Sequence, residues 1–272
     1  PSPLQFPRPQ MRIVNDEIRL LTYLPPSSNP RVMKEARALA EAGFQVTVVT
    51  SALPGSGRIP MEEPDFCRIE HIGWRVPSMA RWRHRLVKRF APLWPLELRS
   101  QVASYGSLFV DLVSAVSCEA QAMPFVAHLE PALLAAGASG RLGQICCDFE
   151  DWYSQDLLPG RRSAGLTAKL TEIEAKALSQ APRCWCPAES MAADLAAAYN
   201  VQAPLVIRNV FPRRQRESID GRWLDRPFMS RQASTNVPAA VRPQGAPVSI
   251  HWVSQTIGPG RGLEDVFSAL QG

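Results

Sequence analysis

Short β-branched runs alternate with helix-length segments over roughly 190 residues, about the size of one large domain. That alternation constrains the fold more than any other feature. Residues 18–24 (IRLLTYL) predict a buried strand, closed by Pro25 and Pro26. Asn29 is a good helix N-cap, Pro30 suits the first helical position, and Val32, Ala36, Leu39 and Ala40 recur at helical spacing. Gly43 stops the helix, and QVTVVT at 45–50 is β-branched. A strand–helix–strand unit of this kind builds parallel sheet with a right-handed crossover.

The alternation continues. Strands are predicted at 68–76, 124–128, 144–148, 183–186 and 204–208. Helical stretches are predicted at about 80–116 with a proline break, through Leu133, Leu134 and Ala136, and at 166–181 and 189–199. This is the pattern of an α/β, Rossmann-like, doubly wound parallel sheet. Residues 1–17 read as an N-terminal extension, 18–212 as the first domain, and 213–247, rich in Arg, Pro, Ser and Gln, as a linker. A new strand at 248–253, a glycine-rich loop and a helix at 263–270 then open a second Rossmann-like domain. One strand and one helix bury no core alone, so that domain is expected to be truncated in this chain.

Composition excludes a few classes. With 46% hydrophobic and 20% charged residues, the chain is of globular type. Its net charge of +5 permits an anionic partner, and the usual nucleic-acid motifs are missing, which favours a nucleotide diphosphate or a lipid headgroup. The six cysteines have no zinc spacing and read as small buried hydrophobes in a reducing compartment. No apolar run is long enough for a membrane span, and the N-terminus has no signal-peptide pattern.

Several residues could carry chemistry. In the loop TIGPGRG (256–262), Gly260, Arg261 and Gly262 fit a phosphate site: helix N-terminal N–H groups face the anion and Arg261 adds a forked cation. A plain strand–helix connection would also use glycines. His128 ends a strand where ligands of doubly wound sheets bind, and could meet a substrate hydroxyl or merely satisfy a helix end. Asp148, Glu150 and Asp151 follow another strand end. They could act as base, hold sugar hydroxyls, or be an acid-rich helix start, and no His or Cys cluster beside them in sequence suggests a metal. Ser28 and Arg31 lie beside the Asn29 cap and could face a ligand cleft. In RWRHRLVKRF (81–90), Arg81, Trp82, Arg83, Arg85, Lys88 and Arg89 mix cations with an aromatic. Such a run suits an anionic membrane surface, nucleic acid, or a solvated helix face with its aromatics turned inward.

These segments, in this order, resemble the family-four-like glycosyltransferases. The resemblance is carried by PRVMKEARALAEAGFQVTVVT (30–50), ICCDFEDWYSQD (145–156), EAKALSQAPRCWCPAESMAADLAAAYNVQAPLVIRN (174–209) and SQTIGPGRGLEDVFSAL (254–270). It implies a GT-B architecture, in which an acceptor-side and a donor-binding Rossmann-like domain flank a cleft. It implies sugar transfer from a nucleotide-diphosphate sugar to a glycan or lipid-linked acceptor, with retention and with no metal or other cofactor. His128 matches a histidine that contacts the transferred sugar, and Arg261-Gly262 a pair that stabilises the leaving diphosphate; Glu150 stands where many members carry histidine. The family's pair of glutamates seven residues apart is absent from this chain, which is therefore expected to be inactive alone. The implied location is cytoplasmic, peripheral on the inner face of the plasma membrane. The alternatives are a non-catalytic Rossmann-like binding module, or another GT-B enzyme such as a sugar-nucleotide epimerase.

Overall fold

A computed structural model describes residues 16–53, 64–119, 124–157, 160–210 and 266–269. The chain divides into two compact units, Pro1–Asn209 and Val210–Gly272. In the second, Val210 and a helical turn at 266–269 are described. The predicted linker at 213–247, the strand at 248–253 and the loop carrying Gly260, Arg261 and Gly262 lie outside the described residues.

The first unit is an α/β doubly wound fold. Its strands are β1 (Glu17–Thr22), β2 (Gln45–Thr50), β3 (Arg68–His71), β4 (Phe125–His128), β5 (Ile145–Asp148), β6 (Cys184–Cys186) and β7 (Leu205–Val206). Its α-helices are α1 (Pro30–Glu41), α2 (Pro77–Arg89), α3 (Arg99–Tyr105), α4 (Ser107–Glu119), α5 (Leu129–Ala138), α6 (Ala164–Gln180) and α7 (Glu189–Tyr199). The strands form one sheet in the order β3-β2-β1-β4-β5-β6-β7. Every adjacent pair is parallel. The chain winds outward to β3, then returns to the centre and winds out the other way. The reversal lies between β1 and β4.

Strand alternation explains why both faces are covered. Leu21, Val49, Phe125, Ala127, Ile145 and Cys147 point to one face, whose core includes Leu112, Leu134, Leu170 and Leu195 of the helices α4 to α7. Their neighbours Ile18, Leu20, Val46, Val48, Val126 and Cys146 point to the other, against Val32 and Ala36 of α1. A strand buried on both sides reads as a near-continuous apolar run, as residues 125–127 of β4 do. All six cysteines are free thiols; Cys146, Cys147, Cys184 and Cys186 are buried, and Cys118 is exposed.

Some predicted bounds change. The strand expected at 68–76 stops at His71, because Gly73 turns with φ +88° and α2 starts at Pro77. An L side chain at Gly73 would also meet the Asp111 carboxylate at 2.4 Å. The helical stretch at 80–116 resolves into α2, α3 and α4, with two short 3-10 turns around Pro92 and Pro95. Pro lacks the N–H that would continue a helix. The last strand keeps only Leu205–Val206 of the predicted five residues. Among the described residues, no helix is long and apolar enough to cross a membrane.

Candidate functional site

The carboxyl ends of β1, β4 and β5 converge where the strand order reverses, the position at which open α/β sheets bind ligands. Register places His128 directly beside Asp148. Above them lies the start of α1. Its N-cap Asn29 is buried: Oδ1 accepts from the Val32 N–H at 3.2 Å, and Nδ2 donates to Thr22 Oγ1 and Glu150 Oε1 at 3.5 Å each. The residue expected only to cap α1 thus also ties α1 to the loop after β5.

In the first turn of α1, Arg31 points down onto β5. Its Nε and Nη2 donate to the two Asp148 oxygens at 2.5 and 2.7 Å, and its Nη1 donates to the Ile207 carbonyl at 3.2 Å. The Asp148 side chain is fully buried and that of Arg31 nearly so. Burial alone would raise the Asp148 carboxyl, but hydrogen bonds from His128 and Arg31 hold it below the ordinary carboxylate range. Conversely, burial disfavours the Arg31 cation, and Asp148 more than compensates.

His128 completes the cluster. Its side chain is fully buried, with Nε2 3.3 Å from Glu35 Oε2 and Nδ1 3.3 Å from both Asp148 Oδ2 and Glu150 Oε1. Burial pushes the imidazole pKa down, but the Glu35 charge and the contacts with Asp148 and Glu150 outweigh it and raise it well above the ordinary value. Nδ1 lies within hydrogen-bonding distance of Glu150 Oε1, at 3.3 Å. Nε2 lies at ion-pair distance from Glu35 without hydrogen-bond alignment. Leu129, the next residue, has φ +66°, a strained conformation for a branched side chain that costs about 1–3 kcal/mol. The chain bends there straight from β4 into α5, which keeps the histidine pressed against Asp148.

Glu35, His128 and Asp148 offer ligand atoms within 4.8 Å of one another. A metal needs a neutral imidazole lone pair and a free carboxylate. Here both Asp148 oxygens already accept from the Arg31 guanidinium.

The loop after β5 is folded by Tyr153, whose hydroxyl donates to the Asp148 carbonyl and accepts from the Glu150 N–H, both at 3.1 Å. This turn lifts Glu150 to the rim, where its side chain is 13% exposed; that of Glu35 is 20% exposed. Asp151 and Ser28 are exposed. The structure thus brings Arg31, His128, Asp148 and Glu150 together as one cluster, with Asp151 and Ser28 at its edge. His128 itself is fully buried, with Glu35 and Glu150 against its ring nitrogens. Sequence reading missed Glu35, one turn after Arg31 on α1; its i+4 spacing from Arg31 was the only available signal. It also missed Glu130, on the first turn of α5. Burial pushes its carboxyl up to about 7, while Arg162, with which it pairs, pulls the other way.

A cavity of about 350 Å³ lies at the opposite, amino edge, lined by Glu17, Gln45, Phe66, Cys67 and Arg68 among others. It contains none of the clustered residues, and amino edges of parallel sheets are not where such folds bind ligands.

No protein-family model matches the chain, and no curated protein matches it. Among solved structures it is similar to sucrose-phosphate synthase from Thermosynechococcus elongatus. That match has 13% identity and a TM-score of 0.39, and covers 71% of this chain and 47% of that one. A second, shorter chain of sucrose-phosphate synthase from the same organism matches at 12% identity and TM-score 0.39, over 76% of this chain and 99% of that one. The chain thus spans about half the length of the first of these. Likeness at this level carries nothing about substrate or mechanism.

Proposed function

We propose that the chain is the acceptor-side domain of a retaining, family-four-like glycosyltransferase of hexosyltransferase type. The observation that carries this reading is the buried cluster of Arg31, His128 and Asp148 at the β1/β4 reversal, which presents two carboxylates, Glu35 and Glu150, at the rim. Carboxylates accept hydrogen bonds from sugar hydroxyls, and here each lies 3.3 Å from a ring nitrogen of His128. His128, Arg31 and Asp148 act as positioning residues, and Glu35, Glu150, Asp151 and Ser28 as the surface an acceptor glycan or lipid-linked glycan would meet. The sequence assigns the nucleotide-diphosphate sugar to Gly260, Arg261 and Gly262. A preorganised cation there is worth most as the diphosphate leaves. The reading calls on no metal or other cofactor and gives the enzyme a cytoplasmic setting, where nucleotide sugars are available.

The test is calorimetric titration of UDP-, GDP- and ADP-sugars into this chain and into one extended beyond Gly272. The extended chain is expected to bind one of them, and Arg261→Ala to weaken that binding by about 10- to 150-fold, the range for a charge-assisted contact. No nucleotide affinity at either length overturns the reading. It would then yield to a non-catalytic Rossmann-like binding module, which the complete burial of His128 favours.

A further inference from the structure

The basic helix α2 takes no part in the cluster just described. Its inward residues are Ala80, Arg83, His84 and Val87, and its outward residues include Arg81, Trp82, Arg85 and Arg89. At about 100° per residue, those four outward positions fall within one arc of roughly 100°. Between residues 72 and 96 the chain carries six cations, Arg75, Arg81, Arg83, Arg85, Lys88 and Arg89, and no acid. Large apolar side chains lie exposed among them: Trp82 is 59%, Met79 51% and Phe90 49% exposed, and Leu93 and Leu96 just beyond the helix are 80% and 74% exposed.

This face is fixed in place. Arg83, expected to join the basic surface, turns inward instead and makes a two-pronged pair with Asp111 of α4 at 2.8 Å per contact. Its guanidinium also lies 5.5 Å over the Trp74 ring. Lys88 reaches back to the Ser104 carbonyl at 2.9 Å. Gly106, at φ +54°, lets α2 approach closely: a side chain there would come within 2.7 Å of Lys88 and 2.9 Å of His84. A helix held this way cannot roll to hide Trp82 and Met79, so water faces a mixed apolar and cationic surface with no counter-charge among the described residues.

We propose that the outward face of α2, with Arg81, Trp82, Arg85 and Arg89 at its centre and Met79, Phe90, Leu93 and Leu96 around it, docks on an anionic lipid bilayer. The charge is complementary to acidic headgroups, and tryptophan favours the headgroup boundary. The exposed aliphatic side chains decide between anionic partners. A bilayer buries Met79, Leu93 and Leu96, whereas a nucleic acid strand stacks on aromatic rings and gives aliphatic groups little. The inference stands apart from the proposed glycosyl transfer, since it uses no residue of that site.

The experiment is co-sedimentation of the full chain with vesicles of phosphatidylcholine, alone or mixed equally with phosphatidylglycerol, at low and high salt. Binding to the mixed vesicles only, weakened by salt, is expected. Replacing Arg81, Arg85 and Arg89 together by Ala should weaken it on the order of a hundredfold, at roughly fivefold per cation near the surface. Trp82→Ala should weaken it several-fold, with circular dichroism unchanged in both variants. Arg141→Ala, a cation elsewhere, serves as the control and should leave binding intact. Failure to sediment with the mixed vesicles overturns the proposal. So does binding that survives the triple variant. Binding that ignores Trp82→Ala while single-stranded oligonucleotides bind equally well would assign the face to nucleic acid instead.

Discussion

The molecule handles positive charge in two opposite ways. At the carboxyl edge of the sheet, Arg31 and His128, whose pKa is raised by its acidic neighbours, are buried and face Asp148, Glu35 and Glu150. On the outward face of α2, Arg81, Arg85 and Arg89 are exposed, with no acid for a partner among the described residues. Desolvation explains the contrast. A buried charge is tolerable only when paired and hydrogen-bonded, so the first region carries its own counter-charge and becomes rigid. An exposed cation remains hydrated, so the second region is free to take its counter-charge from outside. The first arrangement orients groups, and the second attracts a partner.

The largest effect should come from breaking the internal pairing. Arg31→Ala leaves Asp148 buried with His128 as its remaining partner and is expected to cost about 3–5 kcal/mol, read as the shift in a urea unfolding midpoint. A change below about 1 kcal/mol would mean that the pair contributes little and that the two regions differ less than their burial implies.

His128→Gln removes the other buried partner of Asp148 and should cost about 1.5–3 kcal/mol near neutral pH. The pH profile sharpens the point. The folded-state pKa of His128 is raised, so its stabilisation is complete below about 6.5 and is lost as pH rises through the higher folded value. The Asp148 pKa is depressed, so its contribution is complete above about 3.9 and is lost as pH falls through the lower folded value. Thermal melts from pH 3 to 10 should show both losses in the native protein, and the alkaline loss should shrink in His128→Gln. An unchanged alkaline limb would show that His128 is not its source; the loss from Glu130, whose carboxyl is raised to about 7, falls earlier, between about 4.5 and 7.

Gly106→Ala tests how firmly α2 is held. The added methyl group meets Lys88 and His84 in a positive-φ conformation, and a loss of about 1–3 kcal/mol is expected in the same unfolding assay. The smallest effect belongs to the outward face. Neutralising Arg81, Arg85 and Arg89 should change stability by no more than about 0.5 kcal/mol per residue, although it removes vesicle binding. A large loss would show that these cations have an internal role.

Much of the fold was legible because its signals are local. Strand β2 and helix α7 have the bounds that β-branching and helical periodicity predict. The strands β3 and β7 are shorter than predicted, because a turn glycine and edge pairing, rather than propensity, set their ends. At the site, the sequence singled out His128, Asp148, Glu150 and Arg31 by their places at strand and helix ends, while Glu35 and Glu130 looked like ordinary helix-surface acids.

By itself, the sequence determined the parallel α/β architecture and the acid-free basic run at 72–96, since both are written in neighbouring residues. Only the tertiary structure decided which charges meet. Arg31 finds Asp148 across 117 residues, and Arg83 turns away from its basic neighbours to Asp111, 28 residues on. Periodicity states which face of a helix turns inward, but the counter-charge waiting there comes from an element whose position depends on the strand order of the whole sheet.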